Sequence, residues 1–285
     1  MIADNARPQG ESPLPDVDVV ALAAFDDNYI WRIGATDRPG RPMVVVDPGE
    51  AEPVLADLQS RDNPLVAILI THHHGDHVGG VGALKKHWPQ ARVIGPASCA
   101  TRGAEEIADH GQRIVIPELG LIADVIATPG HTADHLSYFC DTLPGHEAPL
   151  LFCGDTLFAA GCGRVFDGTI EQHFRSLTTL AMLPMDTRVH CAHEFTLTNL
   201  YFAQQAEPNN PRIRQRLEEC LPMREEGQPT LPSTIAQELS TNPFLRTHLP
   251  ALGAHLPTAL QPATPNPLSV FQALRTWRNE FRAPS

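Results

Sequence analysis

The sequence has no apolar run long enough to cross a membrane. Its longest apolar stretch, Val17–Phe25, is interrupted by Asp18 and falls far short of the ~20 residues that a membrane-spanning helix needs. The first 16 residues are acidic and proline-rich, without the basic and apolar regions of a secretory signal. The sequence therefore predicts no membrane association and a cytoplasmic location.

Positive charge is also scarce. The 285 residues include 21 Lys and Arg against 33 Asp and Glu, which gives a net charge of -12, and the only lysines are Lys85 and Lys86. Nucleic-acid binding needs clustered basic side chains, so DNA and RNA are poor candidates as partners. The C-terminal residues 196–285 are nearly neutral and contain several arginines, which is compatible with an anionic ligand or with an ordinary solvated surface.

Three further patterns are missing. None of the six cysteines forms a Cys-X-X-Cys pair, which excludes a zinc ribbon or a thioredoxin-like site and predicts reduced, buried thiols. No Gly-X-Ser-X-Gly element supports a serine nucleophile. No internal repeat of about 20–50 residues is present, which argues against solenoid and propeller folds.

Strands and helices are mixed in the first two thirds of the chain. Leu65–Thr71 is continuously apolar, as expected for a strand buried on both faces. Helices are predicted at Glu52–Ser60 and Val78–His87. The other predicted strands are Val17–Phe25, Met43–Val46, Arg92–Gly95, Ile114–Ile116, Ala123–Ala127, Leu136–Cys140 and Leu150–Cys153. Together they predict an α/β sandwich.

The pattern changes near His193, where strand signals fade. Helices are predicted at Thr196–Gln205, Arg212–Leu221 and Leu268–Phe281, with proline-rich connections at 222–232 and 250–267. We therefore expect a loose extension at residues 1–16, an α/β domain at 17–195 and a smaller helical domain at 196–285.

The strongest functional signal is the segment THHHGDH, which begins where the buried strand Leu65–Thr71 ends. Ligands of α/β proteins usually bind at such strand ends. His72 and His74 alternate onto one side, and Asp76 and His77 follow on the turn into a helix. Four donors within six residues suit two neighbouring metal ions better than one, with His72 and His74 on the first ion and Asp76 and His77 on the second.

Three later donors complete this pattern. His131, Asp155 and His193 each follow a strand-like segment and a small residue, which lets the backbone approach a crowded site. A carboxylate has two oxygens, so Asp155 is expected to bridge two ions about 3.5 Å apart. A lone histidine is more often packed or exposed than ligating, but the ordered set of strand-end donors favours a dinuclear site.

These motifs resemble a known family. THHHGDHVGG at residues 71–80 resembles the signature of the metallo-β-lactamase superfamily, and the later donors match its ligand order. Five further segments narrow the resemblance to glyoxalase II, the hydroxyacylglutathione hydrolases, and to their bacterial members: FDDNYIW (25–31), GDTLF (154–158), GCGR (161–164), AHEFT (192–196) and NPFLR (242–246). The resemblance implies an αββα sandwich followed by a smaller C-terminal helical domain.

The resemblance also implies roles for individual residues. It places His72, His74 and His131 on one ion, Asp76, His77 and His193 on the other, and Asp155 between them. The residues implied to bind glutathione are Arg164, Arg275, Arg278 and Phe195. Phe195 departs from the pattern, because many members have a tyrosine there that hydrogen-bonds glutathione.

The implied reaction is hydrolysis of S-D-lactoylglutathione, or another S-2-hydroxyacylglutathione, to D-lactate and glutathione, the second step of methylglyoxal detoxification. A hydroxide between two divalent ions, held at the site by Asp155 and with Asp76 as a candidate orienting residue, would attack the thioester. Zinc is the first expectation, although His and Asp donors suit iron and manganese as well. We expect a monomer whose partner is the small-molecule thioester.

Three alternatives remain open at this stage. A persulfide dioxygenase of the same superfamily would hold one iron through two histidines and an aspartate, but the tail with NPFLR argues against it. A superfamily ribonuclease conflicts with the net charge of -12. A non-catalytic binding protein would lack metal ligands, and none is missing.

Two residues beyond the donors are expected to support the site. His135 is expected to pack behind it, and Asp47 is expected to form a turn or orient a ligand.

Overall fold

The computed structural model describes residues 16–35, 39–60 and 62–283, and these residues form the expected αββα sandwich with a helical C-terminal part. The predicted extension at 1–16 lies outside the described residues except for Asp16. None of the helices in these ranges has the length and hydropathy that a membrane span requires.

The first sheet contains six strands in chain order. They are β1 (Asp18–Ala24), β2 (Asn28–Gly34), β3 (Met43–Val46), β4 (Leu65–Leu69), β5 (Arg92–Gly95) and β6 (Glu106–Ile107). The pairs β1–β2 and β2–β3 are antiparallel, and the pairs from β3 to β6 are parallel. The helices between them are α1 (Glu52–Gln59), α2 (Gly75–Val78) and α3 (Val81–His87).

Side-chain alternation in this sheet builds two separate cores. Val45 and Ile68 face outward and pack in one apolar cluster with Val54 of α1 and Leu84 of α3. Neighbouring residues such as Leu69 face inward and join the cluster between the two sheets. Because both faces are covered, β4 is apolar at every position, as its sequence predicts.

The second sheet faces the first. The remaining strands are β7 (Arg113–Ile116), β8 (Leu121–Ala127), β9 (Leu136–Cys140), β10 (Leu150–Gly154), β11 (Leu157–Phe158), β12 (Gly161–Cys162), β13 (Arg188–Cys191) and β14 (Ser233–Thr234). Six of them form the sheet in the order β14-β13-β10-β9-β8-β7, while β11 and β12 pair only with each other as a hairpin.

The C-terminal part packs into the same core as the sheets. The remaining helices are α4 (Ile170–Leu180), α5 (Thr196–Ala206), α6 (Pro211–Glu225), α7 (Ile235–Thr241), α8 (Pro250–His255) and α9 (Pro267–Glu280). Phe202, Phe244 and Phe271 lie in one cluster with residues of both sheets, and β14 pairs with β13. The division of the chain at residue 195 therefore stays a prediction.

The structure corrects three predicted elements. Val78–His87 is not one helix, because Gly79 and Gly80 separate α2 from α3. The Gly80 N–H donates to Pro48 O at 2.9 Å, and a Cβ on Gly79 would lie 2.6 Å from the Gly49 carbonyl oxygen. Only glycine allows the loop after β3 to approach this closely.

The second correction concerns the connection predicted at 222–232. Helix α6 runs through Pro222 and ends at Glu225. Proline lacks the N–H that would bond the carbonyl of Glu218, but Glu218 is exposed, so water can satisfy that carbonyl. Pro222 therefore lies in the last helical turn, and the connection begins after Glu225. The third correction concerns the connection predicted at 250–267, because helix α8 (Pro250–His255) forms its first part.

Candidate metal centre

The seven predicted donors meet at one edge of the sandwich. Five of them lie just beyond the end of a strand, where the backbone turns away from the sheet, and two lie on helix α2. His72 and His74 follow β4, and α2 contributes the next two donors. The complete set is His72, His74, Asp76, His77, His131, Asp155 and His193.

Three histidines form the first donor cluster. His74 Nδ1 lies 3.1 Å from His72 Nε2 and 3.1 Å from His131 Nε2. The rings stand at 76° to 89° to one another, so their nitrogens converge on one point. Metal–nitrogen bonds of about 2.0–2.1 Å in a tetrahedron place ligand nitrogens about 3.3–3.4 Å apart, which this spacing approaches.

Asp76, His77 and His193 form the second donor cluster. Asp76 Oδ2 lies 3.4 Å from His77 Nε2 and 3.4 Å from His193 Nε2. The side chain of His77 is almost completely buried, whereas that of Asp76 is 39% exposed. The second cluster therefore opens to solvent on the side of Asp76.

Asp155 lies between the two clusters and presents one oxygen to each. Its Oδ2 is 3.3 Å from His131 Nε2, and its Oδ1 is 3.5 Å from His77 Nε2 and 3.4 Å from His193 Nε2. Asp155 Oδ1 and His77 Nε2 are buried without a hydrogen-bond partner among the described residues. Buried polar atoms rarely remain unpaired, so this donor set fits two cations.

The electrostatics of the two clusters differ. Burial opposes the charged form of His77 and His193, but Asp155 and the neighbouring carboxylates outweigh it and raise their pKa values to about 10 and about 12. In the first cluster burial prevails and lowers the pKa of His72, His74 and His131. Burial thus favours the neutral form of the imidazoles in the first cluster. In the second cluster, bound cations would replace the ring protons as partners of the carboxylates.

Hydrogen bonds behind the rings fix which nitrogen faces the centre. His77 Nδ1 donates to Asp47 Oδ2 at 3.1 Å, and His131 Nδ1 donates to the carbonyl oxygen of Arg164 at 2.8 Å. Asp47 also accepts bonds from the Thr71 N–H and hydroxyl. Asp47 therefore occupies the orienting position considered for it, and the Nε2 atoms of His77 and His131 are left for a metal ion.

Two contacts of this kind were not predicted. His193 Nδ1 donates to Asp27 Oδ1 at 2.8 Å, and Asn28 Nδ2 donates to Asp76 Oδ2 at 3.1 Å. Both residues lie at the turn between β1 and β2, inside the FDDNYIW segment. The segment carries the family resemblance, but 166 positions separate Asp27 from His193, and no local pattern connects them.

His135 lies behind Asp155 rather than among the donors. Its Nε2 accepts the backbone N–H of Asp155 at 3.2 Å. The opposite nitrogen contacts the hydroxyls of Thr128 at 2.9 Å and Thr156 at 3.1 Å. Both ring nitrogens are therefore engaged, and the ring supports the backbone of the bridging carboxylate.

A pocket of about 590 Å³ opens over the two clusters, and all four residues implied to bind glutathione line it: Arg164, Phe195, Arg275 and Arg278. Within the described chain none of these arginines pairs with a carboxylate. Burial and the charge of Arg275 lower the pKa of Arg278 to about 10. These three arginines, which we call the arginine wall, therefore bring positive charge to the pocket that is suited to an anion.

The arginines are held in different ways. Arg275 is 4% exposed, and its Nη1 donates to Cys162 O at 2.8 Å while Nη2 donates to Asn279 Oδ1 at 3.0 Å. Arg278 is less buried and donates to Asn199 Oδ1 at 3.1 Å. Arg275 thus contributes charge and holds a loop, whereas Arg278 is more accessible to a ligand.

Phe195 packs against a donor without offering a polar atom. Its ring is nearly parallel to that of His193, with centroids 4.8 Å apart, and it meets Phe158 edge-on at 5.4 Å. This part of the pocket is apolar and excludes water from one side of His193. Phe195 has no hydroxyl with which to hydrogen-bond a ligand.

Replacement of Asp27 by alanine should weaken binding of one of two metal ions by about 10- to 100-fold, the usual cost of removing a carboxylate behind a histidine ligand. His193 would lose the partner of its Nδ1 atom, while the first cluster would keep its contacts. Competition with a chromophoric chelator measures both dissociation constants. Asp26→Ala, an exposed neighbour, is the matched control. Unchanged affinity in Asp27→Ala would contradict the orienting role.

Two family models match the chain: the metallo-β-lactamase superfamily over residues 38–193, and the hydroxyacylglutathione hydrolase C-terminus over residues 194–281. The hydroxyacylglutathione hydrolase of Pseudomonas aeruginosa strain LESB58 is 47% identical, and that of Vibrio cholerae serotype O1 strain M66-2 is 44% identical. Each alignment covers 93% of this chain and 100% of the relative.

Solved structures share the fold. A crystal structure of ETHE1 from Myxococcus xanthus is 27% identical, with a TM-score of 0.59, and the match covers 92% of this chain and 97% of that one. The identity to the two hydrolases extends over both parts of the chain, including the tail. The chain belongs to the hydroxyacylglutathione hydrolase family of the metallo-β-lactamase superfamily.

Proposed function

We propose that the chain hydrolyses S-D-lactoylglutathione, and related S-2-hydroxyacylglutathiones, to the hydroxy acid and glutathione. The observation that supports this most directly is the position of Asp155, with one oxygen toward each donor cluster. The pocket above it has a positively charged wall, as an anionic glutathione thioester requires. Relatives at 44–47% identity bear the name hydroxyacylglutathione hydrolase.

We propose that two divalent ions occupy the site. His72, His74 and His131 would hold the first, and Asp76, His77 and His193 the second, with Asp155 as the bridge. Zinc is our first candidate, and iron or manganese would suit the same nitrogen and oxygen donors. When bound, the ions would supply a hydroxide at neutral pH and polarise the thioester carbonyl.

The chain's own residues would prepare this chemistry. Asp47 and Asp27 hold His77 and His193 in the ring orientation that directs Nε2 inward. Phe195 and Phe158 shield His193 from bulk water. The thiolate of glutathione is a good leaving group, so no separate general acid is needed.

The pocket arginines would bind the glutathione part. Glutathione carries carboxylates far from the thioester, and Arg164, Arg275 and Arg278 line the pocket without a carboxylate partner among the described residues. Arg278 is less buried than Arg275, and its guanidinium lies over the Phe202 ring at 6.0 Å. We propose that Arg278 makes the more direct contact and that Arg275 acts partly by holding the backbone at Cys162.

We also propose that the protein is a cytoplasmic monomer that does not bind nucleic acid. The net charge of -12 and the presence of only two lysines disfavour binding to phosphate backbones. Size-exclusion chromatography with light scattering measures the oligomeric state.

The proposed reaction is tested with purified, metal-loaded protein. Release of a thiol from S-D-lactoylglutathione, with about two metal equivalents per chain, is the expected result. The rival, a persulfide dioxygenase with one iron, would instead consume oxygen with glutathione persulfide. Oxygen uptake without thioester hydrolysis would overturn the proposal in favour of that rival.

Arg278→Ala should raise KM for lactoylglutathione about 10- to 150-fold and change kcat little, because a hydrogen bond to a charged group contributes roughly 1.5–3 kcal/mol in both the ground and transition states. A small thioester without glutathione should be hydrolysed as before. Arg214→Ala, exposed on α6, is the control. Equal losses on both thioesters would contradict a glutathione contact.

A further inference from the structure

The hairpin of β11 and β12 has a backbone conformation that its sequence does not favour. Its turn contains Ala160, whose φ is 53°, in the left-handed region. This region is sterically unfavourable for a residue with a Cβ. Ala160 is fully buried, so other contacts must hold the turn in place.

Three side chains from the helical tail bond this hairpin. Asn199 Nδ2 of α5 donates to Ala159 O at 3.0 Å. The other two, which we call the hairpin clamp, are Glu238 of α7 and Asn242, the first residue of NPFLR. Glu238 Oε2 accepts the Ala160 N–H at 2.7 Å. Asn242 Nδ2 donates to Gly161 O at 2.8 Å and to Phe158 O at 3.2 Å. Both clamp residues are 0% exposed.

The clamp is itself rigidly held. Glu238 Oε1 pairs with Arg216 Nη2 at 2.8 Å, so the buried carboxylate is neutralised. Asn242 Nδ2 also donates to Glu238 Oε2 at 3.1 Å, while its Oδ1 accepts the Phe244 N–H. Removal of one partner from such a network leaves others buried and unsatisfied.

The hairpin leads directly into the pocket. Cys162 O accepts Arg275 Nη1 at 2.8 Å, and Arg164 O accepts His131 Nδ1 at 2.8 Å. Between them, Gly163 approaches the Asp155 carbonyl so closely that a Cβ there would clash. One short segment therefore connects the first donor cluster, the bridging aspartate and the arginine wall.

We infer that Glu238 and Asn242 are positioning residues for the hydrolytic reaction: by clamping the hairpin they fix the orientation of His131 and the position of the arginine wall. The inference rests on the proposed function for its kinetic readout. A merely structural role would change only the stability of the fold. A positioning role would also change metal affinity and substrate binding in the folded protein.

Asn242→Asp is the first test. It keeps the Oδ1 atom that accepts the Phe244 N–H, and it replaces the Nδ2 amide with a carboxylate oxygen that faces the carbonyls of Phe158 and Gly161. We expect metal affinity at one site to fall about 10- to 100-fold and KM for lactoylglutathione to rise about 10-fold. Measurements are made well below the unfolding temperature, with metal affinity from chelator competition.

Asn210→Asp is the matched control. Asn210 likewise caps a helix with its oxygen and donates its amide to a carbonyl, that of Ser240, but it does not touch the hairpin. This variant should lose stability and keep both constants. If Asn242→Asp behaves in the same way, the inference is wrong.

Ala160→Gly provides a rescue that only the clamp mechanism predicts. Glycine adopts a positive φ without a steric penalty, so it reduces the need for the clamp. Added to Asn242→Asp, it should restore part of the lost metal affinity, and the two effects should not be additive. Additive effects would contradict the inference.

Two outcomes need separate treatment. If Asn242→Asp does not fold, Glu238→Gln is measured in the same way and must show the same losses. This variant replaces one of the two carboxylate oxygens with an NH2 group and removes the negative charge of the clamp. If the native chain does not hydrolyse lactoylglutathione, the proposed function fails. The metal affinity of the clamp variants then still decides the inference.

Discussion

Asp155→Ala should leave the chain unable to retain two metal ions and should lower kcat/KM for lactoylglutathione by about four orders of magnitude, or about 5–6 kcal/mol of transition-state stabilisation. The reason is that each Asp155 oxygen faces a different donor cluster, so one substitution removes a ligand from both ions. Elemental analysis after gel filtration gives the metal content, and initial rates give the activity.

His135→Ala is the control for this substitution. His135 contacts the backbone of Asp155 and two threonine hydroxyls, so its loss should reduce stability while two metal equivalents remain bound at saturating metal. If His135→Ala lost an equivalent and Asp155→Ala lost none, the assigned ligand set would be incorrect.

Removal of metal with a strong chelator should reduce thioester hydrolysis to below about 1% and lower the unfolding temperature. Ions that bind only the folded state stabilise it, by about 4 kcal/mol for each site at 1,000-fold excess over its Kd. Asp76, Asp155 and Asp47 lie close together around His77, so their mutual repulsion increases when the cations leave. Activity assays and thermal unfolding report the two effects.

Asp155→Ala protein is the control for chelation, since its unfolding temperature should respond much less. Re-addition of about two equivalents of divalent metal should restore the native values. Full activity with a single equivalent would contradict the dinuclear assignment.

Much of the sheet scaffold follows from local sequence patterns. Strands β3, β5 and β9 begin and end where the apolar runs predict, because both faces of these strands are covered and few polar residues interrupt them. The donors of THHHGDH were predictable for a related reason. A buried strand that ends in closely spaced donors delivers them to one edge of the sheet.

The contacts that organise the site were not predictable in this way. Asp27 meets His193 across 166 positions, and Glu238 meets Ala160 across 78. Each of these contacts depends on how distant segments pack together, and the hydrophobic periodicity of the sequence does not predict such packing. The break after α2 has the same origin, since its cause is the neighbouring loop at Gly49 rather than a poor helical pattern.

Strand β14 limits how the chain can be truncated or recombined. Its two residues cover the edge of β13, and three tail phenylalanines fill the space between helices and sheets. A fragment that ends near residue 195 would expose an open strand edge next to a bare apolar surface, a template for self-association. Proteolysis in that region would therefore produce insoluble material rather than a minimal metalloenzyme. Recombination that exchanges the tail must also supply a new cover for that edge.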